Sequence, residues 1–220
     1  MNDALRHAWT QLVTASDLDE YMHQVGQAAA NAALLASMFA ATADQRRKKL
    51  LIVGGGTAQF LDYVPVSTFA RFGITLTDIN PDFLARAQQR FQLAGITDIH
   101  FVIDDIEHCQ LTGQFDAIAI VLVLEHIDWR RGIQQIQRLA PDELHLIIQR
   151  NPESQTSAFA PQRKLNASMQ AFADTARPNL IAPDDLIQFL MPLGYRLKAR
   201  DERAVPDQKT MVGLSFKRDD

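Results

Sequence analysis

The chain has 220 residues, of which 47% are hydrophobic and 22% charged, and its formal net charge is −4. This length suits one α/β domain with a complete core, and the composition is that of a globular protein. The negative balance gives no general attraction to nucleic acid or to an anionic membrane. The only cysteine, Cys109, excludes an internal disulfide, and residues 1–7 lack a secretory signal pattern, so we expect a cytoplasmic protein.

The first part of the chain is predicted to be helical. Apolar side chains recur at helical spacing within Leu18–Met38, and Ser16 and Asp17 can cap a helix. We expect residues 1–46 to form a helical cap that lies across the top or edge of a main domain, 47–220.

The central feature is an apolar run, Leu50–Val53, followed directly by Gly54, Gly55 and Gly56. A short apolar run bounded by glycines is typical of a strand that is buried on both faces. Glycines let the backbone turn sharply and let a ligand lie against it. A helix predicted near 57–70 would aim its free N–H groups at that ligand. The pattern indicates a nucleotide-type cofactor site, with a plain strand-to-helix turn as the alternative.

A second short strand, 74–78, ends in Asp78, which lies 22 positions beyond Gly56. An acid at about this distance from the glycines, at the tip of the neighbouring parallel strand, can accept hydrogen bonds from both ribose hydroxyls. Asn80 and Pro81 then begin a helix, since proline suits the first turn. We therefore expect Asp78 to bind a ribose.

From residue 49 onward, predicted strands and helices alternate. The strands lie near 50–53, 74–78, 99–103, 115–121 and 143–149, and the helices near 57–70, 81–94, 128–139 and 183–191. This alternation predicts right-handed crossovers and a parallel sheet that is covered on both faces.

Two later segments depart from the alternation. Residues 150–182 contain several prolines and no clear strand, with a helix possible near 164–175, and should hang over the carboxyl edge of the sheet, where ligands bind. Residues 194–200 and 210–217 are strand-like with no helix between them, so they should pair as an antiparallel hairpin.

In this order, the motifs resemble those of the class I S-adenosylmethionine-dependent methyltransferases, over residues 48–217. The stretches that carry the resemblance are 50–58, 77–81, 101–107, 115–127 and 183–195. The resemblance implies an α/β fold with a doubly wound, mostly parallel seven-stranded sheet, whose last strand is inserted antiparallel, plus the N-terminal helices. It also implies S-adenosylmethionine as the cofactor.

The resemblance implies roles for the first two motifs. Gly54 and Gly56 would approach the methionine end of the cofactor. Asp78 would take the ribose hydroxyls, and Ile79 would pack on the adenine.

It also implies roles for the third and fourth strands. Asp105 would accept a hydrogen bond from the adenine amino group, and Ile106 would donate its backbone N–H. Asp104 and Asp105 both follow the strand, so one of them is expected to be only a surface acid, and the motif favours Asp105 as the contact. Val121 belongs to the apolar residues nearest the transferred methyl group.

Two departures from the family pattern keep alternatives open. Ile52 stands where the family usually has an acid that helps to hold the cofactor's ammonium group, and Ala58 replaces a third glycine. Asp62 or a helical N-terminal residue would then have to substitute, or the domain is a non-catalytic S-adenosylmethionine-binding relative or scaffold. A nicotinamide-dependent oxidoreductase is a further alternative, disfavoured because the bulky Gln59 occupies its last glycine position.

Methyl transfer needs mainly alignment of the nucleophile and, in some cases, removal of its proton. His126 is the candidate general base, with a local structural role in the next helix as the alternative. We expect no metal, because Leu122 stands where some relatives have a ligating glutamate and no other ligand spacing appears.

The acceptor is expected to be a small molecule, with a protein as the alternative. No Asn-Pro-Pro-Tyr-type sequence follows the fourth strand, which argues against a DNA base or a glutamine amide. Residues 150–182 and the N-terminal helices should shape the pocket. Its basic residues can either receive an acidic molecule or be solvated; they are Arg150, Arg163, Lys164 and Arg177.

Overall fold

A computed structural model describes residues 1–40, 47–152, 165–175 and 179–219. The helices are α1 (Asp3–His7), α2 (Ala15–Gln24), α3 (Gln27–Ala40), α4 (Pro81–Leu93), α5 (Trp129–Gln137), α6 (Ala167–Thr175) and α7 (Pro183–Leu190). The strands are β1 (Lys48–Val53), β2 (Phe72–Asp78), β3 (Ile99–Ile103), β4 (Ala117–Val121), β5 (Glu143–Arg150), β6 (Tyr195–Val205) and β7 (Lys209–Arg218).

The strands form one seven-stranded sheet in the order β3-β2-β1-β4-β5-β7-β6. All neighbouring pairs from β3 to β5 are parallel, whereas β7 is antiparallel to both β5 and β6. The predicted fold class is therefore confirmed, including the terminal hairpin and the antiparallel last strand inserted beside β5. The carboxyl ends of the parallel strands meet at one edge, where ligands bind in open α/β sheets.

β1 shows why the sheet lies between two layers of helices. Its side chains alternate between the two faces, as in any strand. Leu50 and Ile52 belong to a core with α3 and α4 on one face, while Leu51 and Val53 belong to a second core with α5 and α7 on the other. A continuous apolar run is required here because both faces are buried.

The N-terminal part is helical but interrupted. A single π-helical turn, Ala8–Leu12, continues α1, and the chain turns again at Gly26, between α2 and α3. The expected cap at Ser16 and Asp17 is wrong: the Thr14 side chain caps α2 by accepting from the backbone N–H of Asp17 at 3.1 Å. The cap therefore lies two residues before Ser16, because the threonine already satisfies the first free N–H groups.

The helix expected near 57–70 is absent. The fully described stretch between β1 and β2 contains two short 3₁₀ turns, Gln59–Asp62 and Val66–Phe69. Ala58 has a left-handed backbone (φ 58°), and Pro65 lacks an N–H and disfavours the α conformation at Val64. These residues prevent a continuous helix, so the segment packs through Phe60 and Phe69 instead.

The segment 150–182 is described only in part. Its helix α6 lies within the predicted 164–175, while Arg163, Lys164 and Arg177 lie outside the described residues. Among the described residues, no helix is long and apolar enough to cross a membrane. The division of the chain into 1–46 and 47–220 stays a prediction.

Candidate functional site

The glycine turn after β1 is bonded to the end of β2. The backbone N–H groups of Gly54 and Gly55 both donate to the carbonyl of Thr77, at 2.9 and 3.1 Å. Gly54 has φ 68°, and a Cβ placed on it would lie 2.0 Å from Cγ2 of Val123 and 3.1 Å from the carbonyl oxygen of Val121. This position therefore requires glycine, because the loop after β4 packs directly against it.

Asp78 lies at the carboxyl end of β2 and is held by backbone donors. Its Oδ2 accepts from the N–H of Gly56 at 3.0 Å, and its Oδ1 accepts from the N–H of Asn80 at 3.0 Å. Burial raises the pKa of Asp78 to about 6, and these backbone hydrogen bonds oppose the increase. The carboxylate is thus fixed in direction beside the glycine turn.

Asn80 connects α4 to the N-terminal segment. Its side-chain oxygen caps α4 by accepting from the N–H groups of Asp82 (2.8 Å) and Phe83 (3.3 Å). Its side-chain amide donates to the carbonyl of Trp9 at 2.7 Å. One buried side chain therefore positions both the helix after Asp78 and the turn that carries Trp9.

Asp104 and Asp105 follow β3, and both line the same cavity. Asp105 accepts from the N–H of Glu107 and from His108, each at 3.0 Å, and it forms an ion pair with Arg6. Burial acts to raise the pKa of Asp105, but the hydrogen bonds from His108 and Arg6 outweigh it and hold the pKa below its usual value.

The turn after β4 carries a buried acid and a histidine. Oε1 of Glu125 accepts from the backbone N–H of Gln149 at 2.7 Å, while Oε2 is buried without a hydrogen-bond partner among the described residues. Burial raises the pKa of Glu125 to about 7. Nδ1 of His126 is likewise buried and unpaired in the described part of the chain, and burial lowers the pKa of His126 to about 4.

These elements surround one cavity of about 190 Å³ at the carboxyl edge of the sheet. Every residue predicted for the site lies in its wall: Gly54, Gly56, Asp78, Ile79, Asp105, Ile106, Val121 and His126. The residues predicted from the sequence therefore lie at or after the ends of four different strands, and the fold places them around one cavity.

The comparison with protein families matches the central part of the chain. Residues 51–143, from within β1 to the start of β5, match the family model of a methyltransferase domain. This part of the chain is similar to methyltransferase domains. By sequence, no curated protein matches the chain.

Solved structures resemble the chain in fold at low identity. Magnesium protoporphyrin IX methyltransferase from Synechocystis PCC 6803, crystallised with S-adenosylmethionine, is 16% identical, with a TM-score of 0.65 over 99% of this chain and 90% of that one. The N-methyltransferase NodS from Bradyrhizobium japonicum WM9 is 14% identical, with a TM-score of 0.61 over 86% of each chain. The [4+2]-cyclase SpnF is 15% identical, with a TM-score of 0.62 over 86% of this chain and 79% of that one.

An aromatic wall closes the cavity on the side of the N-terminal segment; it consists of Trp9, Phe83, His126 and Phe172. The Trp9 ring centroid lies 4.3 Å from that of Phe172, 5.5 Å from that of His126 and 6.1 Å from that of Phe83. The four rings come from four separate elements, so the wall exists only in the folded chain.

The sequence did not predict several residues of this wall and its surroundings. Trp9 and Phe172 lie in the two segments that were expected to shape the pocket, but no sequence pattern singled out either residue. Glu125 was visible as the neighbour of His126, but its burial depends on the pairing of β4 with β5. Gln149 lies at the end of β5 and also lines the cavity.

Two other residues weighed from the sequence lie outside the cavity wall. Asp62, a possible substitute for the acid missing at Ile52, forms an ion pair with Arg90 at 3.4 Å. Arg150, a possible receptor for an acidic molecule, pairs with Glu202 of β6 at 2.7 Å. Ile52 itself is fully buried in the core. In the described part of the chain, no group of three or more His, Cys, Asp or Glu residues could hold a metal ion.

Proposed function

We propose that this protein is an S-adenosylmethionine-dependent methyltransferase that acts on a small-molecule acceptor. The observation that carries the proposal is the Asp78 carboxylate, bonded to Gly56 in the wall of the cavity. A carboxylate has about four acceptor positions, so Asp78 keeps capacity for the ribose hydroxyls after accepting from Gly56 and Asn80.

The residues around Asp78 fit an adenosine. Ile79 and Ile106 offer apolar side chains to an adenine, and the backbone N–H of Ile106 is the proposed donor to its ring. The Asp105 carboxylate already accepts hydrogen bonds from Glu107, His108 and Arg6. Of its about four acceptor positions, one is therefore left for an adenine amino group. Asp105 therefore contributes less to adenine binding than Asp78 contributes to ribose binding.

The methionine end fits the space beside β4. Gly54 lies in the cavity wall beside Val121 and Val123, and it offers backbone there without a side chain. The cofactor, when bound, supplies a methyl group already activated by a sulfonium. The protein then has to hold the acceptor in line with that group and to exclude water, and Val121 and Leu122 supply apolar surface there.

His126 is proposed as the residue that meets the acceptor. Its lowered pKa keeps the ring neutral at neutral pH, so the unpaired Nδ1 can accept a hydrogen bond from a hydroxyl or an amine. A conjugate acid with a pKa of about 4 makes His126 a weak general base. We therefore assign it to positioning the acceptor more than to removing its proton.

A small acceptor suits the dimensions of the cavity. A volume of about 190 Å³ is below the usual range for ligand sites, so we expect the aromatic wall, which includes Trp9 and Phe172, to move outward when ligands bind. Two of the similar structures are a magnesium protoporphyrin IX methyltransferase and an N-methyltransferase, which supports a small molecule over a polymer.

A second candidate is a protein that binds the cofactor without transferring a methyl group. Ile52 favours it, because the position of the usual acid is apolar and buried in the core. The similarity of SpnF, a [4+2]-cyclase, supports the view that this fold also serves other reactions.

Calorimetry with S-adenosylmethionine and S-adenosylhomocysteine tests the proposal. We expect both to bind, and we expect Asp78→Ala to weaken binding by roughly 1–3 kcal/mol, the scale of hydrogen bonds to a charged group. Asp142→Asn, at an exposed acid that pairs with Arg218 (3.2 Å), is the matched control and should leave binding unchanged. Absence of binding by the wild-type protein would contradict the proposal.

Release of S-adenosylhomocysteine over a panel of small acceptors separates the two candidates. A methylated product identified by mass spectrometry supports the methyltransferase. Tight cofactor binding with no product from the whole panel would favour the non-catalytic candidate.

A further inference from the structure

The cavity has two halves that differ in their sheet positions. Asp78 ends β2 and Asp105 follows β3, on one side of β1, whereas Glu125 follows β4 and Gln149 lies near the end of β5, on the other side. The adenosine of the proposed function occupies the first half. The second half, which is next to the aromatic wall, is left for the acceptor.

Among the described residues, the charged side chains of the cavity wall have one sign. Within residues 1–40, 47–152, 165–175 and 179–219, the side chains that line it include four carboxylates and no lysine or arginine. The carboxylates are those of Asp78, Asp104, Asp105 and Glu125. The neutral His126 does not offset them. An anionic acceptor would therefore find no cationic side chain among these residues, while a cationic one would be attracted.

Glu125 supplies the group that would recognise a cationic acceptor. Its side chain is at least nine-tenths buried, and its Oε2 has no partner among the described residues although its Oε1 is held by Gln149. A buried carboxylate oxygen without a donor is costly, and an ammonium ion is the partner that would satisfy it most strongly. The hydrogen bond from Gln149 fixes the direction of the carboxyl group.

The aromatic wall fits the same kind of ligand. Trp9 and Phe172 pack at 4.3 Å between centroids, and both line the cavity. Aromatic faces attract ammonium groups and also bury the apolar part of a ligand. Trp9, Phe172 and Glu125 thus line the same cavity.

We infer that the methyl acceptor is an amine with an apolar or aromatic body, which pairs with Glu125 and packs against Trp9 and Phe172. This inference rests on the proposed function. The ammonium gives a proton to the Glu125 carboxylate, and the exposed nitrogen lone pair forms the N–C bond to the methyl carbon. The S–C bond breaks, and its electron pair stays on sulfur as a thioether, so charge and atoms balance. We expect carboxylates and phosphates to be poor acceptors.

Three ligands of matched shape test the inference: 2-phenylethylamine, 2-phenylethanol and 3-phenylpropanoate. Their binding is measured by ligand-observed NMR, with and without S-adenosylhomocysteine. We expect the amine to bind at least 10-fold more tightly than the alcohol and at least 100-fold more tightly than the carboxylate. Equal binding of the amine and the carboxylate, or binding of none of the three, would overturn the inference.

Glu125→Gln keeps the shape and the hydrogen bond to Gln149 and removes the charge. We expect it to reduce the preference for the amine over the alcohol at least 10-fold while S-adenosylhomocysteine binds as in the wild type. Glu202→Gln, the same change on exposed β6, should leave the preference unchanged. If Glu125→Gln instead weakens S-adenosylhomocysteine and leaves the preference intact, Glu125 belongs to the cofactor's half and the inference is wrong.

Failure of this inference can be distinguished from failure of the proposed function. Loss of amine selectivity with normal S-adenosylhomocysteine binding overturns only the acceptor class. Absence of S-adenosylhomocysteine binding in calorimetry overturns the proposed function, while amine selectivity in the absence of cofactor still reports on Glu125.

Discussion

The backbone N–H of Gly56 donates to Oδ2 of Asp78 at 3.0 Å, so the turn after β1 and the acid that ends β2 form one rigid unit. The bond joins residues 22 positions apart in the sequence. It orients the carboxylate toward the cavity before any ligand arrives, which reduces the entropy lost on binding. A substitution in the turn is therefore expected to change the orientation of the Asp78 carboxylate as well.

The pH dependence of S-adenosylhomocysteine binding should report on Asp78. Its pKa is raised to about 6 by burial, and the ionised form is the better acceptor for ribose hydroxyls. We expect the association constant to fall below pH 6, by at most about tenfold per pH unit. Asp78→Asn should bind more weakly and without this slope in calorimetry between pH 5 and 8. The same slope in the variant would show that another group titrates.

Gly54→Ala should destabilise the protein more than Gly95→Ala. Both glycines have positive φ (68° and 73°), so both substitutions introduce the strain of a left-handed residue, roughly 1–2 kcal/mol. At Gly54 the new Cβ also meets Val123 at 2.0 Å, whereas nothing lies within 4 Å at Gly95. We expect roughly 1–3 kcal/mol of additional loss from this overpacking, measured by urea unfolding. Equal losses would mean that the loop after β4 moves away without cost.

Asn80→Ala should lower the free energy of unfolding by roughly 1–3 kcal/mol, because it removes the cap of α4 and a buried donor to the Trp9 carbonyl. Asn80→Ser is the matched control, since serine can cap a helix but is too short to reach Trp9. Asn80→Ser should recover only the part of the free energy of unfolding that comes from the helix cap. Hydrogen exchange at residues near Trp9 should therefore be faster in both variants, and slow exchange in Asn80→Ala would contradict the connection.

Glu125→Gln should change how stability depends on pH. The folded protein keeps the Glu125 proton up to about pH 7, whereas the unfolded chain releases it near the ordinary value of 4.5. The folded state therefore binds more protons in this interval, and its stability falls as the pH rises through it. The variant lacks this loss, so relative to the wild type it should gain roughly 3 kcal/mol between pH 4 and pH 8, measured by urea unfolding. Parallel pH profiles would show that the Glu125 pKa is not raised.

Much of the sheet could be predicted because its strands are short apolar runs with clear ends. Leu50–Val53 and the strand that ends at Asp78 lie in the structure where the sequence placed them, and the terminal hairpin needed only two strand-like segments with no helix between them. The same signals placed the eight predicted site residues, since strand ends share an edge of the sheet.

The errors and omissions arose where tertiary packing or single residues override a pattern. The sequence between the glycines and β2 was long enough for a helix, but Ala58 and Pro65 prevent one, and Pro65 was a usable signal. The aromatic wall could not be predicted, because Trp9 and Phe172 are 163 positions apart and meet only through the docking of α6 on the N-terminal segment.

The absence of an α-helix between Gly56 and β2 bears on which nucleotides can bind. Dinucleotides place a doubly charged pyrophosphate over the glycine turn, where a helix start normally neutralises it. Here the chain continues into a left-handed Ala58 and a 3₁₀ turn whose Gln59 side chain donates to Asp19 at 2.7 Å. A pyrophosphate would meet no aligned row of donors in this turn, so we expect nicotinamide and flavin dinucleotides to bind poorly.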